Sequence, residues 1–134
     1  MRFTASDLTS GEYQGYVVVR GTQTDLITRV PYWFAVPGAP KYIPLLLTPT
    51  TSRRAGSTDT FYFQVLDANG IGLPDSQPEV TTDTTGASVR SVVPDEVEVP
   101  GGFEVSVRYS RTPGVNNFTV KAGDITATVS VSTL

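Results

Sequence analysis

Apolar and polar residues alternate with a period of two along much of this chain. Phe61, Phe63 and Val65 alternate with Tyr62, Gln64 and Leu66. Phe103, Val105 and Val107 alternate with Glu104, Ser106 and Arg108. Near the end, Ile125, Ala127, Val129 and Val131 alternate with Thr126, Thr128, Ser130 and Ser132. Successive side chains of a strand point to opposite faces, so this alternation predicts antiparallel strands with one face buried. Seven strands are predicted between Lys41 and Leu134: Tyr42–Thr48, Thr60–Asp67, Glu79–Thr82, Ser88–Val93, Phe103–Tyr109, Asn117–Ala122 and Ile125–Ser132. Gly123-Asp124 falls between the last two and predicts a tight hairpin.

The first part of the chain has the same character. Tyr13–Arg20 and Ile27–Val36 are predicted strands, joined by a turn rich in Gly and Thr from Gly21 to Asp25. Val30, Tyr32, Phe34 and Val36 share one face of the second strand; Pro31, Trp33 and Ala35 share the other. Pro31 removes one ladder donor, which places this strand at an edge or gives it a bulge. Arg2–Thr4 can add a third short strand, with Leu8-Thr9-Ser10-Gly11 as its turn. Two or three strands bury too little apolar area to stand alone. The aromatic residues here therefore call for a partner surface. Pro37-Gly38-Ala39-Pro40 is a short, stiff linker. It divides a segment 1–38 from a segment 39–134.

Composition agrees with an all-β reading. Val and Thr, both β-branched, are the commonest of the 134 residues, and glycines (12) and prolines (10) interrupt the chain every few positions. The hydrophobic fraction of 39% permits a packed core. The net charge of −3 argues against a nucleic-acid partner, which needs clustered Lys and Arg. Arg53-Arg54 is the only adjacent basic pair and is expected at a solvated loop tip. No apolar run approaches the roughly 20 residues of a membrane span.

The chain has neither cysteine nor histidine. That removes disulfides, thiolate metal sites, Ser-His-Asp triads and His-ligated zinc. Neither a G-x-S-x-G elbow nor a G-x-x-x-x-G-K loop occurs. Paired carboxylates remain, and Asp95, Glu96 and Glu98 are the one dense acidic cluster. Their expected setting is a solvated loop and strand edge, so no catalytic residue is assigned. Asp67, Asn69 and Asp75 around Gly70 and Gly72 invite a calcium reading. Asp67 at position 1 of a helix-loop-helix site puts Asn69 at 3 and Gly72 at 6, but Ile71 at 5 and Pro78 at 12, where oxygen ligands belong. The same residues fit a turn, with Asn69-Gly70 supplying positive φ and Asp67 accepting backbone N–H groups. No metal or cofactor is assigned, and a looser site on Asp67, Asn69 and Asp75 stays open. Tyr32, Trp33 and Phe34 are candidates for a carbohydrate or protein contact, or for packing within or between the two segments. Asn117-Phe118-Thr119 matches a glycosylation sequon.

Two resemblances follow from ordered motifs. LLLTPTTSRRAGSTDTFYFQVLDANGIGLPD, VTTDTTGASVRSVV and PGVNNFTVKAGDITATVSV together resemble the bacterial immunoglobulin-like domains of the invasin and intimin type. They cover nearly all of residues 41–134. The acidic, proline-flanked stretch Pro94–Gly101 departs from that pattern and leaves the pairing around the fifth strand open. SGEYQGYVVVRG followed by RVPYWFAVPG resembles the last strands of the fibronectin type III-like domain that follows the catalytic domain of secreted subtilisin-like proteases. It covers about 38 residues. The resemblances imply an all-β chain: an immunoglobulin-like β-sandwich preceded by a partial fibronectin type III-like β-sheet segment.

The function expected from this is that of a non-catalytic module in the C-terminal region of an exported bacterial serine protease. It would space or stabilise the protease, or mediate protein or cell-surface contacts. The alternative is an adhesin-like surface binding module. The expected partners are the rest of the parent protease chain and a second copy of the chain, engaged through segment 1–38.

Overall fold

The computed structural model describes residues 7–95 and 99–134. The proposed strand at Arg2–Thr4, and Glu96 and Glu98 of the acidic cluster, lie outside the described residues. The chain divides into two compact units, Met1–Gly38 and Ala39–Leu134. Among the described residues every regular element is a strand, and no helix is long and apolar enough to cross a membrane.

The first unit is a two-stranded antiparallel hairpin of β1 (Gly11–Arg20) and β2 (Ile27–Val36). Its register runs unbroken from Gly11↔Val36 to Arg20↔Ile27. Pro31, opposite Tyr16, causes no bulge. Among the described residues each strand of this sheet has one unpaired side, where a missing N–H costs no ladder bond.

The second unit is a sandwich of seven strands: β3 (Leu45–Leu47), β4 (Thr58–Gln64), β5 (Glu79–Thr82), β6 (Ser88–Asp95), β7 (Gly102–Arg108), β8 (Gly114–Ala122) and β9 (Ile125–Thr133). One sheet has the order β3-β4-β7-β6 and the other β5-β8-β9. This four-plus-three arrangement is the constant-type immunoglobulin topology, in which strands one, two, five and four form one sheet and three, six and seven the other. The pairing left open around the fifth strand is thus resolved: β7 lies between β4 and β6.

The alternation in the sequence supplies the core. Phe61, Phe63 and Val65 come from β4 and its end, and Phe103, Val105 and Val107 from β7. Phe118, Val120 and Ala122 from β8 and Val129 and Val131 from β9 face them, all buried. Phe63 stacks on its register partner Phe103 with centroids 5.3 Å apart, while Phe61 reaches across the sandwich to Phe118 at 6.2 Å. On the outer face of the same pairing, Tyr62 donates to Glu104 (2.7 Å) across the strands. The β8–β9 hairpin closes at Gly123-Asp124, with Gly123 at φ 57° and Ala122 paired to Ile125.

The first strand is shorter than the predicted Tyr42–Thr48. Pro44 cannot donate, and the register slips between Leu45 and Leu47, so only Leu45–Leu47 is laddered while Tyr42 makes a separate bridge to Leu66. Beyond β3 the chain crosses to the other sheet. Arg53 bonds through its N–H to Ser132 O (3.0 Å) and through its carbonyl to Leu134 N (2.8 Å), a parallel bridge alongside β9. Arg53 is therefore not at a solvated loop tip, as the sequence suggested. The backbone of that stretch serves as a strap between the two sheets.

Candidate functional site

The aromatic triplet of the hairpin divides by face, as a strand requires. Tyr13 stacks on its partner Phe34 (5.3 Å, 11°), and Tyr32 lies 6.0 Å from Phe34. The Tyr32 ring covers Gly15, where a Cβ would stand 2.7 Å from the phenol oxygen. Glycine at 15 thus makes room for a cross-strand ring. Trp33 points the other way. It is 64% exposed, and Tyr16, diagonally across the hairpin, is 65% exposed. With Pro31 and Gln14 they border an open concavity of ≈ 630 Å³. Of the three candidate contact residues Trp33 and Tyr32 border this concavity, Trp33 the more exposed, while Phe34 does not line it.

The loop after β4 is organised by one carboxylate. Asp67 is fully buried, and its Oδ1 accepts the N–H groups of Asn69 (2.8 Å) and Ile71 (2.9 Å). The Asp67 N–H donates to Ile71 O (3.0 Å), and Gly70 sits at φ 80°. Asn69 and Asp75 are exposed, so the three candidate ligands do not share one environment. Gly72 and Gly101 are needed for close approach: a Cβ on Gly72 would lie 2.1 Å from Pro100 O, and one on Gly101 would lie 2.4 Å from Leu73 N. Across this contact Val65 N donates to Gly101 O (2.8 Å) and Leu73 N to Val65 O (2.9 Å). The loop is a backbone joint between β4 and the turn that starts β7.

A second polar constellation escaped sequence reasoning. The Asp59 carboxylate receives Arg53 Nε at 2.6 Å, Tyr109 OH at 3.0 Å and the Thr60 N–H at 2.9 Å. Arg53 also donates to Thr51 Oγ1 (2.7 Å). Burial pushes the Asp59 carboxyl up, but the hydrogen bonds from Arg53, Thr60 and Tyr109 and the charge of Arg53 outweigh it and hold the carboxyl below its ordinary value. Burial first, and then the bond to Asp59, push the Tyr109 phenol well above its ordinary range. These groups sit on β4, just past the end of β7 and on the strap beside β9. They join the two sheets electrostatically. The available signal was Asp59 at an inward-alternating strand start, 6 residues after Arg53; Tyr109, 50 residues on, offered none.

Asn116, fully buried, plays a comparable part at the other turn. Its Oδ1 accepts Ser110 N–H (2.8 Å), and its Nδ2 donates to Thr133 Oγ1 (3.3 Å). Asn117 of the sequon lies on β8, and its Oδ1 accepts Ser130 Oγ (2.7 Å) across the hairpin. Asp95, the described member of the acidic cluster, ends β6 opposite Gly102. Among the described residues no group of three or more His, Cys, Asp or Glu gathers closely enough to hold a metal ion.

No family model matches this sequence, and no curated protein does. Solved structures do. The chain is similar to the crystal structure of domains 4 and 5 of the S-layer protein SbsC (TM-score 0.59, 24% identity), covering 93% of this chain and 58% of that one. A longer SbsC structure matches with TM-score 0.59 and 23% identity over 94% of this chain and 17% of that one. A β-glycosidase from Bacteroides vulgatus matches with TM-score 0.55 and 16% identity, over 92% of this chain and 17% of that one. The chain thus spans 58% of the length of the two-domain S-layer fragment and far less of the others. At these identities the likeness is one of fold. The topology, the core and these neighbours agree that this is an all-β chain whose larger unit is an immunoglobulin-like β-sandwich.

Proposed function

We propose that this chain is a non-catalytic structural module of an exported or cell-surface bacterial protein. The observation that carries the reading is how its interior polar groups are employed. Asp59, Asp67, Tyr109 and Asn116 all hydrogen-bond to strands, straps and turns of the sandwich itself. Such groups hold a fold; a catalytic carboxylate or phenol has to face a substrate. The S-layer and glycosidase neighbours support a role as one all-β domain within a larger chain.

The finer proposal is that the larger chain is a secreted subtilisin-like serine protease. Its support is the motif order SGEYQGYVVVRG and RVPYWFAVPG, now seen as a hairpin in continuous register. The module would space or stabilise the protease domain. Sequencing the flanking coding region and measuring thermal inactivation of the natural product, with and without residues 1–134, tests this. A subtilisin-type domain in the same polypeptide and faster inactivation of the shortened protein are expected. A natural product lacking such a domain would end the protease reading while leaving the structural-module reading intact.

The exposed Trp33 and Tyr16 favour a second reading, an adhesin-like binding module. A glycan and protein binding screen with Trp33→Ala as control separates the two, since only the adhesin predicts a ligand lost with Trp33.

A further inference from the structure

The chain is acidic overall, yet three arginines gather at one end of the sandwich. Arg54 is on the strap, Arg108 ends β7, and Arg111 lies in the turn that follows. Arg108 and Arg111 both border two concavities of ≈ 400 and ≈ 410 Å³, and Arg54 borders the second.

Gly56 gathers them. At φ 76° it closes a tight turn in which Ser57 N and Ser57 Oγ both bond Arg54 O (3.1 and 2.7 Å). Its carbonyl accepts Arg108 Nε at 3.4 Å, and the Arg111 stem lies over it, 3.3 Å from where a Cβ would be. The turn itself is tied down, because Gly56 N donates to Ser110 O (2.8 Å).

Among the described residues no carboxylate lies within ion-pair distance of Arg54, Arg108 or Arg111; the ion pair of this region joins Arg53 to Asp59. Ser110 adds a donor, because its Oγ accepts Thr112 N–H (3.2 Å) and keeps its own proton. Three arginines bordering one concavity with no carboxylate paired to them give it a positive field, which a bound anion relieves. Guanidiniums and hydroxyls present donors at several angles, which suits a doubly charged oxyanion with oxygens on all sides better than a flat monocarboxylate.

We propose that this arginine-lined end binds a tetrahedral oxyanion, phosphate or sulfate. The oxyanion would sit against Arg108 and Arg111, with Arg54 as the third charge.

The test is titration of the whole chain with inorganic phosphate, inorganic sulfate and acetate at constant ionic strength, followed by backbone amide shifts. Saturable shifts confined to residues 54–57, 85–88 and 108–112 are expected with phosphate or sulfate, whichever the site prefers. An Arg108→Gln, Arg111→Gln double variant should bind at least tenfold more weakly while melting cooperatively in the absence of anion. Arg20→Gln and Arg29→Gln in the hairpin should bind as the parent does. Should the double variant misfold, Arg54→Gln alone is expected to weaken binding severalfold. Non-saturable shifts, undiminished binding in the folded double variant or in Arg54→Gln, or equal binding of acetate would each overturn the proposal.

Discussion

Asp59 gathers three polar partners from separate parts of the sandwich. It holds a strap arginine, a core tyrosine and a strand N–H at once. Removing it strands the Tyr109 hydroxyl in a fully buried position, and an unmet buried donor costs about 1–3 kcal/mol. Asp59→Ala should therefore lose about 2–3 kcal/mol in urea denaturation, with the slope unchanged. The pH dependence has a definite sign at each end. The Asp59 carboxyl is depressed in the folded state, so its contribution is present above the unfolded carboxylate value of about 3.9 and fades as pH falls through the folded value. The Tyr109 phenol is raised, so its contribution is present below about 10 and fades as pH rises past it. Tyr109→Phe should accordingly flatten the alkaline limb of a stability–pH curve and leave the acid limb in place. The glycines of the Asp67 loop separate two further effects. Gly70→Ala meets open space and faces only its φ of 80°, about 1–2 kcal/mol. Gly72→Ala must displace the Pro100 carbonyl and should lose distinctly more. Equal losses at the two positions would contradict the joint described here.

At the scale of elements, the two units differ in how much they bury. β4, β7, β8 and β9 close on a core of phenylalanine, valine and tyrosine, whereas both faces of the β1–β2 hairpin leave large apolar side chains exposed. Phe118 touches both Phe61 and Tyr109, and Phe118→Ala should cost about 3–5 kcal/mol. Trp33→Ala should shift the same transition by less than about 0.5 kcal/mol. Most of the element plan was legible in advance, because period-two alternation reports burial directly. The exceptions were places where a distant neighbour decides. β3 shrank to three residues through Pro44 and a register slip, and the stretch around Arg53 became a strap because β9 offered a free edge.

For the whole molecule, the hairpin is the element that needs company. An isolated two-stranded hairpin is marginal in water, and its unpaired edges and apolar faces favour association. We propose that the chain self-associates through residues 1–38, a second copy covering the surface that a larger parent chain would otherwise cover. Sedimentation should show a concentration-dependent dimer. Trp33, the only tryptophan, should become shielded from acrylamide quenching as the dimer forms. A strict monomer with fully quenchable Trp33 at every concentration would contradict it.

The sequence by itself determined the fold class, seven strands of the sandwich and two of the hairpin, and the turns at Asn69-Gly70 and Gly123-Asp124. It could do so because strand period and turn glycines are local properties, written within a few residues of where they act. It also separated Trp33 from Tyr32 and Phe34 by face. Tertiary structure alone decided which strands are neighbours, that Asp59 holds both Arg53 and Tyr109, and that Arg54, Arg108 and Arg111 border one concavity beside Gly56. The Asp59–Tyr109 and Gly56–Arg108 contacts join residues 50 and 52 positions apart, although Arg53 and Asp59 are only 6 apart. Only the folding of two sheets onto one core brings them within reach.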